Sequence, residues 1–525
     1  MTKVLIADKM SPRAAEILAT RGIEVDVEAG LDAAQLKARI GTYDGLAVRS
    51  ATKVTAEALA GAEALKVIGR AGIGVDNIDV AAATARGILV MNTPFGNSIT
   101  TAEHAIALMF SLARMIPQAN ASTHAGKWEK SRFMGVELMG KTLGIIGCGN
   151  IGSVVADRAQ GLKLKVVAYD PYLAPERAQS LNVEKVDLDE LLRRADFISL
   201  HTPLTDATRD IIDAAALAKI KPGVRIINCA RGGLIVEADL KAALEDGHVA
   251  AAAIDVFAEE PARENVLFGM ENVVATPHLG ASTSEAQEKV AEQVAEQIAD
   301  YLLTGAVVNA LNMPSVTAEE ASRLKPYMIL AQQLGSFAGQ VTETGIKAVA
   351  IEYDGHVAAL NTRALTGVVL QGLLAPLLET VNIINAPLIA KERNIAISEV
   401  THDRAGDYQT LIRLTVTTEA RSRTVAGTLF TGDRPRIVEI QGISMDAELG
   451  PHMLIVTNRD RPGLIGIVGQ TLGEAGVNIA TYNLGRTKSG GEAISLIGLD
   501  AAVGEAVVKK VLALPDILQA KALAF

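Results

Sequence analysis

The stretch 141–170, KTLGIIGCGNIGSVVADRAQGLKLKVVAYD, constrains the fold more than any other part of the chain. Residues 143–146 are a short apolar run that reads as a buried parallel strand. Gly147, Gly149 and Gly152 follow at GxGxxG spacing and open a helix rich in Val and Ala. A second apolar run, 166–169, ends in Asp170. Together they predict a βαβ unit with a ligand site at its first turn. Gly147 permits the tight turn, Gly149 lets a pyrophosphate approach the backbone, and Gly152 lets helix and strand pack closely. The helix N-terminus offers free N–H groups and a positive dipole end to phosphate. Asp170, eighteen residues beyond Gly152, stands where a carboxylate meets the ribose hydroxyls of an adenine dinucleotide. A 2′-phosphate beside it would be repelled, so the pattern predicts NAD rather than NADP.

The 525 residues predict three or four domains. With 49% hydrophobic and 21% charged residues, the chain can bury several cores. A formal net charge of −10 argues against nonspecific nucleic-acid binding, so an anionic ligand needs local basic residues. Cys148 and Cys229 are the two cysteines, which gives no disulfide framework and suits a reducing compartment. No apolar run reaches signal-peptide or membrane-spanning length. The expectation is a cytoplasmic protein without membrane contact.

Along the chain, strands are expected at 4–7, 46–48 and 67–68, the last leading into the turn GRAGIGVDNID. Thr100 with Glu103 reads as a capping box for a helix over 101–115. Trp128 lies in the polar segment GKWEKSR, read as a surface loop. Beyond the βαβ unit, further strands are expected at 195–200, 222–228, 250–257 and 273–277. His201, Arg231, Asp255 and His278 lie at or after the ends of those strands. Strands alternating with helices imply doubly wound parallel sheets, with a ligand crevice at the carboxyl ends. A long helix is expected over 285–303. Residues 315–446 then change character, with helices near 325–341 and 366–380, a strand at 347–353 and a β-rich stretch at 409–440. From His452 the order is strand, Pro-Gly turn, helix and strand.

The motifs LGIIGCGNIG, ADFISLHTPLT, KPGVRIINCARGGLI, DVFAEEP and TPHLGAST, in that order, resemble the long form of the D-2-hydroxyacid dehydrogenase family. The tail from His452 resembles an ACT domain. The resemblance implies two Rossmann-like α/β domains, an α+β intervening domain and a βαββαβ ACT domain. The substrate domain is expected at 1–98 and 285–315, the NAD domain at 99–284, the intervening domain at 316–450 and the ACT domain at 451–525. The implied activity is NAD-dependent oxidation of 3-phospho-D-glycerate to 3-phosphohydroxypyruvate, the first step of the phosphorylated route to L-serine.

Oxidising a secondary alcohol needs a hydride acceptor, a base for the hydroxyl proton and a cation for the substrate carboxylate. Histidine suits the proton transfer, with an unperturbed pKa of about 6.5. His278 is the candidate acid/base, Glu260 its partner on the other ring nitrogen, and Arg231 the planar fork for the carboxylate. These three match the family's Arg, Glu and His. By the same resemblance Asn150 and Ile151 meet the pyrophosphate, Thr202 and Ala230 line the cofactor, and Asp255 contacts the nicotinamide amide. Gly280, Arg231 and His278 complete the cofactor's surroundings. Arg49, Ser50, Gly72, Ile73 and Asn97 match positions that hold the anionic ends of the substrate, with Lys130 and Arg132 adding charge from a loop. His201 reads as structural or cofactor-side, and His104 as a packed core histidine.

In the tail, Asn458, Asp460 and Asn478 match positions that bind serine in regulated relatives. A homo-oligomer, tetramer or dimer, is expected to place serine at a tail–tail interface. The loop 442–450 carries no basic residue, which argues against an anion effector there. Two other readings remain open: a family member acting on glyoxylate, hydroxypyruvate or a sugar-acid phosphate, and a NAD-sensing co-repressor-like binding protein.

Overall fold

The computed structural model describes residues 2–403, 407–431 and 433–525. Met1, 404–406 and Gly432, inside the expected substrate and intervening domains, lie outside the described residues. Four sheets follow one another. The first holds β1 (Lys3–Ile6), β2 (Glu24–Val27), β3 (Gly45–Val48), β4 (Val67–Arg70) and β5 (Leu89–Asn92), all parallel in the order β2-β1-β3-β4-β5. β3 and β5 are buried along their whole length, as strands covered by helices on both faces must be.

The second sheet is also parallel. It comprises β6 (Thr142–Ile146), β7 (Lys165–Tyr169), β8 (Glu184–Lys185), β9 (Phe197–Leu200), β10 (Val224–Asn228), β11 (Val249–Ile254) and β12 (Val273–Ala275). Their order, β12-β11-β10-β9-β6-β7-β8, reverses direction between β6 and β9. The GxGxxG turn follows β6 and so opens at the switch point where such sheets bind ligands.

The chain enters this unit through the helix Ser98–Arg114 and returns through the helix Ser284–Thr304. Val294 and Ile298 of the returning helix pack onto the first sheet so closely that a Cβ at Gly69 would lie 2.5 Å from Val294. The expected capping box at Thr100 is not formed. The helix starts earlier, after Asn97, with no side-chain cap, and Thr100 Oγ1 instead meets Thr283 Oγ1 at 3.3 Å. Tertiary contact overrides the local signal.

The third sheet is mixed: β13 (Ile346–Gly355), β14 (Ala396–His402), β15 (Thr410–Thr418), β16 (Ser422–Phe430), β17 (Arg434–Ile440) and β18 (Ile443–Ala447), in the order β14-β13-β15-β16-β17-β18. The stretch 442–450, read as a loop, thus contains a strand. Helices Ala318–Gln340 and Thr362–Leu374 pack together with their backbones touching. A Cβ at Gly339 would lie 2.2 Å from Leu373 O.

The fourth sheet, β19 (Met453–Arg459), β20 (Ile479–Arg486), β21 (Glu492–Leu499) and β22 (Ile517–Leu523), is antiparallel in the order β20-β21-β19-β22. With helices Leu464–Glu474 and Glu505–Leu512 it makes the βαββαβ pattern. Its two faces have different partners. Leu454, Val456 and Ile497 pack on its own helices, whereas Met453, Ile455, Ile494 and Leu496 join the core of the third sheet. No helix among the described residues is long and apolar enough to cross a membrane.

The shared core predicts that the third and fourth sheets unfold as one cooperative unit. Leu496→Ala is expected to destabilise it by about 2–5 kcal/mol. Hydrogen exchange should show the strands of both sheets losing protection together; loss confined to the fourth sheet contradicts a shared core.

Candidate active site

The carboxyl ends of the first two sheets face a cleft of about 960 Å³. On one wall the glycine-rich turn has the shape its spacing predicts. Gly147 sits at φ +91°, and a Cβ there would lie 2.7 Å from His201 O. A Cβ at Gly152 would lie 2.1 Å from Gly147 O, which fixes both positions as glycine. Gly149 has no neighbour within 4 Å, leaving open space against the backbone. It caps the helix Asn150–Gly161 without a side-chain bond, so the first N–H groups remain available to a phosphate.

Asp170 follows β7. Its Oδ2 accepts from Cys148 N at 2.9 Å and its Oδ1 from Tyr172 N at 2.8 Å, which holds the carboxylate against the turn. Asn150, Ile151, Thr202, Ala230 and Gly280 line the cleft. His201 lies there too, with Nε2 2.7 Å from Ser199 Oγ and a buried Nδ1 that has no protein partner. Burial pushes its pKa down to about 4, so the ring is neutral near pH 7. This wall fits a dinucleotide: a glycine cradle, a free helix end and a placed carboxylate.

His278, Glu260 and Arg231 line the same cleft. His278 follows β12 in a turn at φ +54°, a left-handed conformation that costs a non-glycine residue about 1–2 kcal/mol. Its backbone N–H donates to Asp255 O at 2.8 Å. The imidazole Nδ1 is 2.7 Å from Glu260 Oε2, and Glu260 Oε1 accepts from Phe257 N at 3.0 Å. Burial raises the Glu260 carboxyl, but the His278 ring and the Phe257 N–H outweigh it and hold it below its usual value. A carboxylate on Nδ1 fixes the tautomer and stabilises the imidazolium, leaving Nε2 for a substrate proton. Arg231 donates from Nη1 to Ala230 O at 2.6 Å and from Nε to Asp76 Oδ2 at 2.9 Å, across the cleft.

The profile of the D-isomer specific 2-hydroxyacid dehydrogenase NAD-binding domain matches residues 106–280. Those of the D-3-phosphoglycerate dehydrogenase intervening domain and the ACT domain match 323–441 and 452–516. A D-3-phosphoglycerate dehydrogenase from Methanocaldococcus jannaschii is 44% identical over 519 residues, covering 98% of each chain. One from Bacillus subtilis is 43% identical over 523 residues, covering 99% of each. The chain belongs to the D-3-phosphoglycerate dehydrogenase family. Among solved structures, a glyoxylate reductase from Paecilomyes thermophila is 30% identical with a TM-score of 0.55, covering 59% of this chain and 98% of its own.

Against this family frame, some expected residues sit elsewhere. Asp255 does not face the cleft. It is fully buried, and its carboxylate accepts from Thr276 Oγ1 (2.6 Å), Leu279 N (2.7 Å) and Gly280 N (2.9 Å), behind the turn that carries His278. Burial raises its pKa, but His104, Thr276 and the Leu279 N–H outweigh it, so it stays ionised. Lys130 and Arg132 are exposed and outside the cleft, with Arg132 paired to Glu129 at 3.1 Å and Glu271 at 2.8 Å. Asp255 and Arg132 each sit with the partners their surroundings supply.

Arg49, Ser50, Gly72, Ile73 and Asn97 line the wall of the cleft on the side of the first sheet. Asn97 Oδ1 there is buried without a protein partner. The sequence reading missed Arg70, which ends β4 and points its largely buried side chain into the same wall. Its pKa falls to about 10, through burial and then through Arg231 and Arg49, so it remains charged at neutral pH. Its Nε has no protein partner. The missed signal was a strand-end arginine, the same feature that singled out Arg231.

In the tail, Asn458 is buried and its Nδ2 donates to Arg459 O at 2.9 Å. Asp460 Oδ2 accepts from Arg486 Nη1 at 2.9 Å and Gly490 N at 3.1 Å. Asn478 lies at the other end of the sheet, donating to Asp500 at 2.7 Å. One chain therefore does not bring the three together.

Truncating Arg70 should cost substrate binding and spare the cofactor. Arg70→Ala is expected to raise KM for a phosphorylated substrate about 10- to 100-fold, from about 1.5–3 kcal/mol per hydrogen bond to a charged group. Steady-state kinetics with a separate NAD titration check it; a KM unchanged from wild type removes Arg70 from the site.

Proposed function

We propose that the chain oxidises 3-phospho-D-glycerate to 3-phosphohydroxypyruvate with NAD, the entry step to L-serine. The observation that carries this reading is a His278–Glu260 pair at 2.7 Å in a cleft shared with a glycine cradle and three arginines. The substrate class follows from charge. A carboxylate and a phosphate need more than one cation, and Arg49, Arg70 and Arg231 lie on facing walls of one cleft in a chain of net charge −10. Bound NAD supplies the hydride acceptor. His278 Nε2 takes the hydroxyl proton as the C2 hydrogen leaves with its electron pair. Glu260, ionised, stabilises the imidazolium through Nδ1. Arg231 holds the carboxylate and the developing carbonyl, while Arg49 and Arg70 hold the phosphate. Ser50, Gly72, Ile73 and Asn97 shape that end, and Asp170 takes the adenine ribose.

The relatives that match nearly the full length share the intervening and ACT regions, which the matched glyoxylate reductase lacks room for. This favours a phosphoglycerate substrate over the simpler acids. We assign 1–98 with 285–315 to the substrate domain, 99–284 to NAD, 316–450 to the intervening domain and 451–525 to the ACT domain. We further propose that L-serine binds the tail in a homo-oligomer, Asn458 and Asp460 of one chain meeting the Asn478 side of another. The separation of these residues within one chain supports that arrangement. Two buried thiols fit a cytoplasmic setting.

Removing the base tests the chemistry. His278→Ala should lower kcat about 10²- to 10⁴-fold while NAD still binds. Near-normal turnover rejects His278 and turns attention to His201. For regulation, calorimetry with L-serine should give saturable heat on the intact protein and none on Asn478→Ala. No heat and no inhibition at millimolar serine leaves the tail a structural module.

A further inference from the structure

His104 is a titratable group beside the reaction turn that the mechanism above does not use. It lies on the helix Ser98–Arg114 with its side chain 19% exposed, and its Nε2 is 3.2 Å from Oδ1 of the fully buried Asp255. With Cys229 these residues bring three possible metal-ligand atoms within 4.8 Å of one another. The Asp255 oxygens, however, already take three donors besides His104: the Thr276 hydroxyl and the Leu279 and Gly280 N–H groups. Three hydrogen-bond donors, with the His104 ring at 3.2 Å from Asp255 and 3.5 Å from Thr276 Oγ1, satisfy a buried carboxylate without a cation.

Those donors matter because of where they sit. Thr276, Leu279 and Gly280 bracket His278, whose left-handed backbone is tied down by its N–H to Asp255 O at 2.8 Å. Asp255 therefore staples the reaction turn, and His104 orients the staple. The same helix touches the turn a second time. Thr101, one turn before His104, donates from Oγ1 to Gly280 O at 2.9 Å.

We propose that His104 is a positioning residue. With its Nε2 set against both Asp255 Oδ1 and Thr276 Oγ1, it fixes the Thr276–Gly280 turn so that the His278 ring meets the substrate hydroxyl in register. The helix bearing His104 and Thr101 starts at the crossing from the substrate domain, so it ties the placement of His278 to that crossing. The inference rests on the acid/base reading of His278 and specifies what holds that residue.

The test uses the full-length enzyme. His104→Leu should lower kcat about 10- to 100-fold, the scale of a 1 Å misplacement, with NAD affinity and melting temperature little changed. In the cofactor-free protein, amides of 276–281 should exchange faster than in wild type. His104→Gln, which keeps an N–H donor, should recover most of kcat and the slow exchange. Wild-type kcat and exchange in His104→Leu overturn the proposal. So does a loss that tracks loss of folded protein and that His104→Gln fails to recover. If His104→Leu does not fold, Thr101→Val must lower kcat and speed exchange in a folded protein, and wild-type values there overturn the proposal equally. The two readings separate cleanly. Turnover surviving in His278→Ala rejects the acid/base assignment, whereas loss in His278→Ala with full activity in His104→Leu rejects only the positioning role.

Discussion

The cleft depends on two chain crossings that are hydrogen-bonded to each other. The chain leaves the first sheet at Asn97 and comes back just before the helix Ser284–Thr304. At that double strap the single Thr101 hydroxyl proton is shared between Asn97 O (3.0 Å) and Gly280 O (2.9 Å), and Thr100 meets Thr283 at 3.3 Å. Residues at the carboxyl ends of both sheets line the same cleft. Arg49 and Arg70 come from one sheet, Arg231 and His278 from the other. The set is therefore complete only while the two units keep this arrangement, and a closed cleft of this kind excludes water.

Electrostatics then decides what the cleft accepts. The whole-chain charge of −10 repels anions at long range, so attraction has to be local. Burial makes it effective. Arg70 is desolvated enough to lower its pKa to about 10, which strengthens its interaction with any anion that replaces the missing water. Arg231 is tuned differently. Its Nε is engaged by the exposed Asp76 and its Nη1 by Ala230 O, so the fork is aimed before a ligand arrives. An exposed ion pair contributes little stability, and orientation is its main effect here.

How much of this was legible depended on how local each signal was. The glycine turn and Asp170 are set by short-range backbone geometry and show in the spacing, whereas Arg231 and His278 stand out through strand ends together with the family resemblance. Arg70 was hidden because the GRAGIGVDNID segment was read for its glycines, and the strand ending in that arginine was not followed through. Asp255 shows a deeper limit: a one-dimensional pattern places a carboxylate at a strand end but not which side of the turn it faces. Arg132 is neutralised by Glu271, far away in sequence, which no local window contains. β14 escaped because all seven of its residues are exposed, so it carries no apolar alternation.

The tail's relation to the cleft is likewise a matter of which strand is held. β5 is the edge strand of the first sheet, and the residues leading into the third unit cover that edge: Leu311 N donates to Val90 O at 2.9 Å and Asn92 N to Asn309 O at 3.2 Å. The third unit grips the approach to the same strand. Asn382 Nδ2 donates to Gly87 O at 3.0 Å, and Ile384 is buried in the core beneath the first sheet. The fourth sheet shares its core with that third unit, so packed elements join the tail to β5. β5 runs straight into Asn97 and the double strap. An effector in the tail could act on catalysis only by favouring one arrangement of these packed units over another. The third unit reaches the first sheet at this edge and, through Ile384, in the core it shares with Val4 and Ile6 of β1.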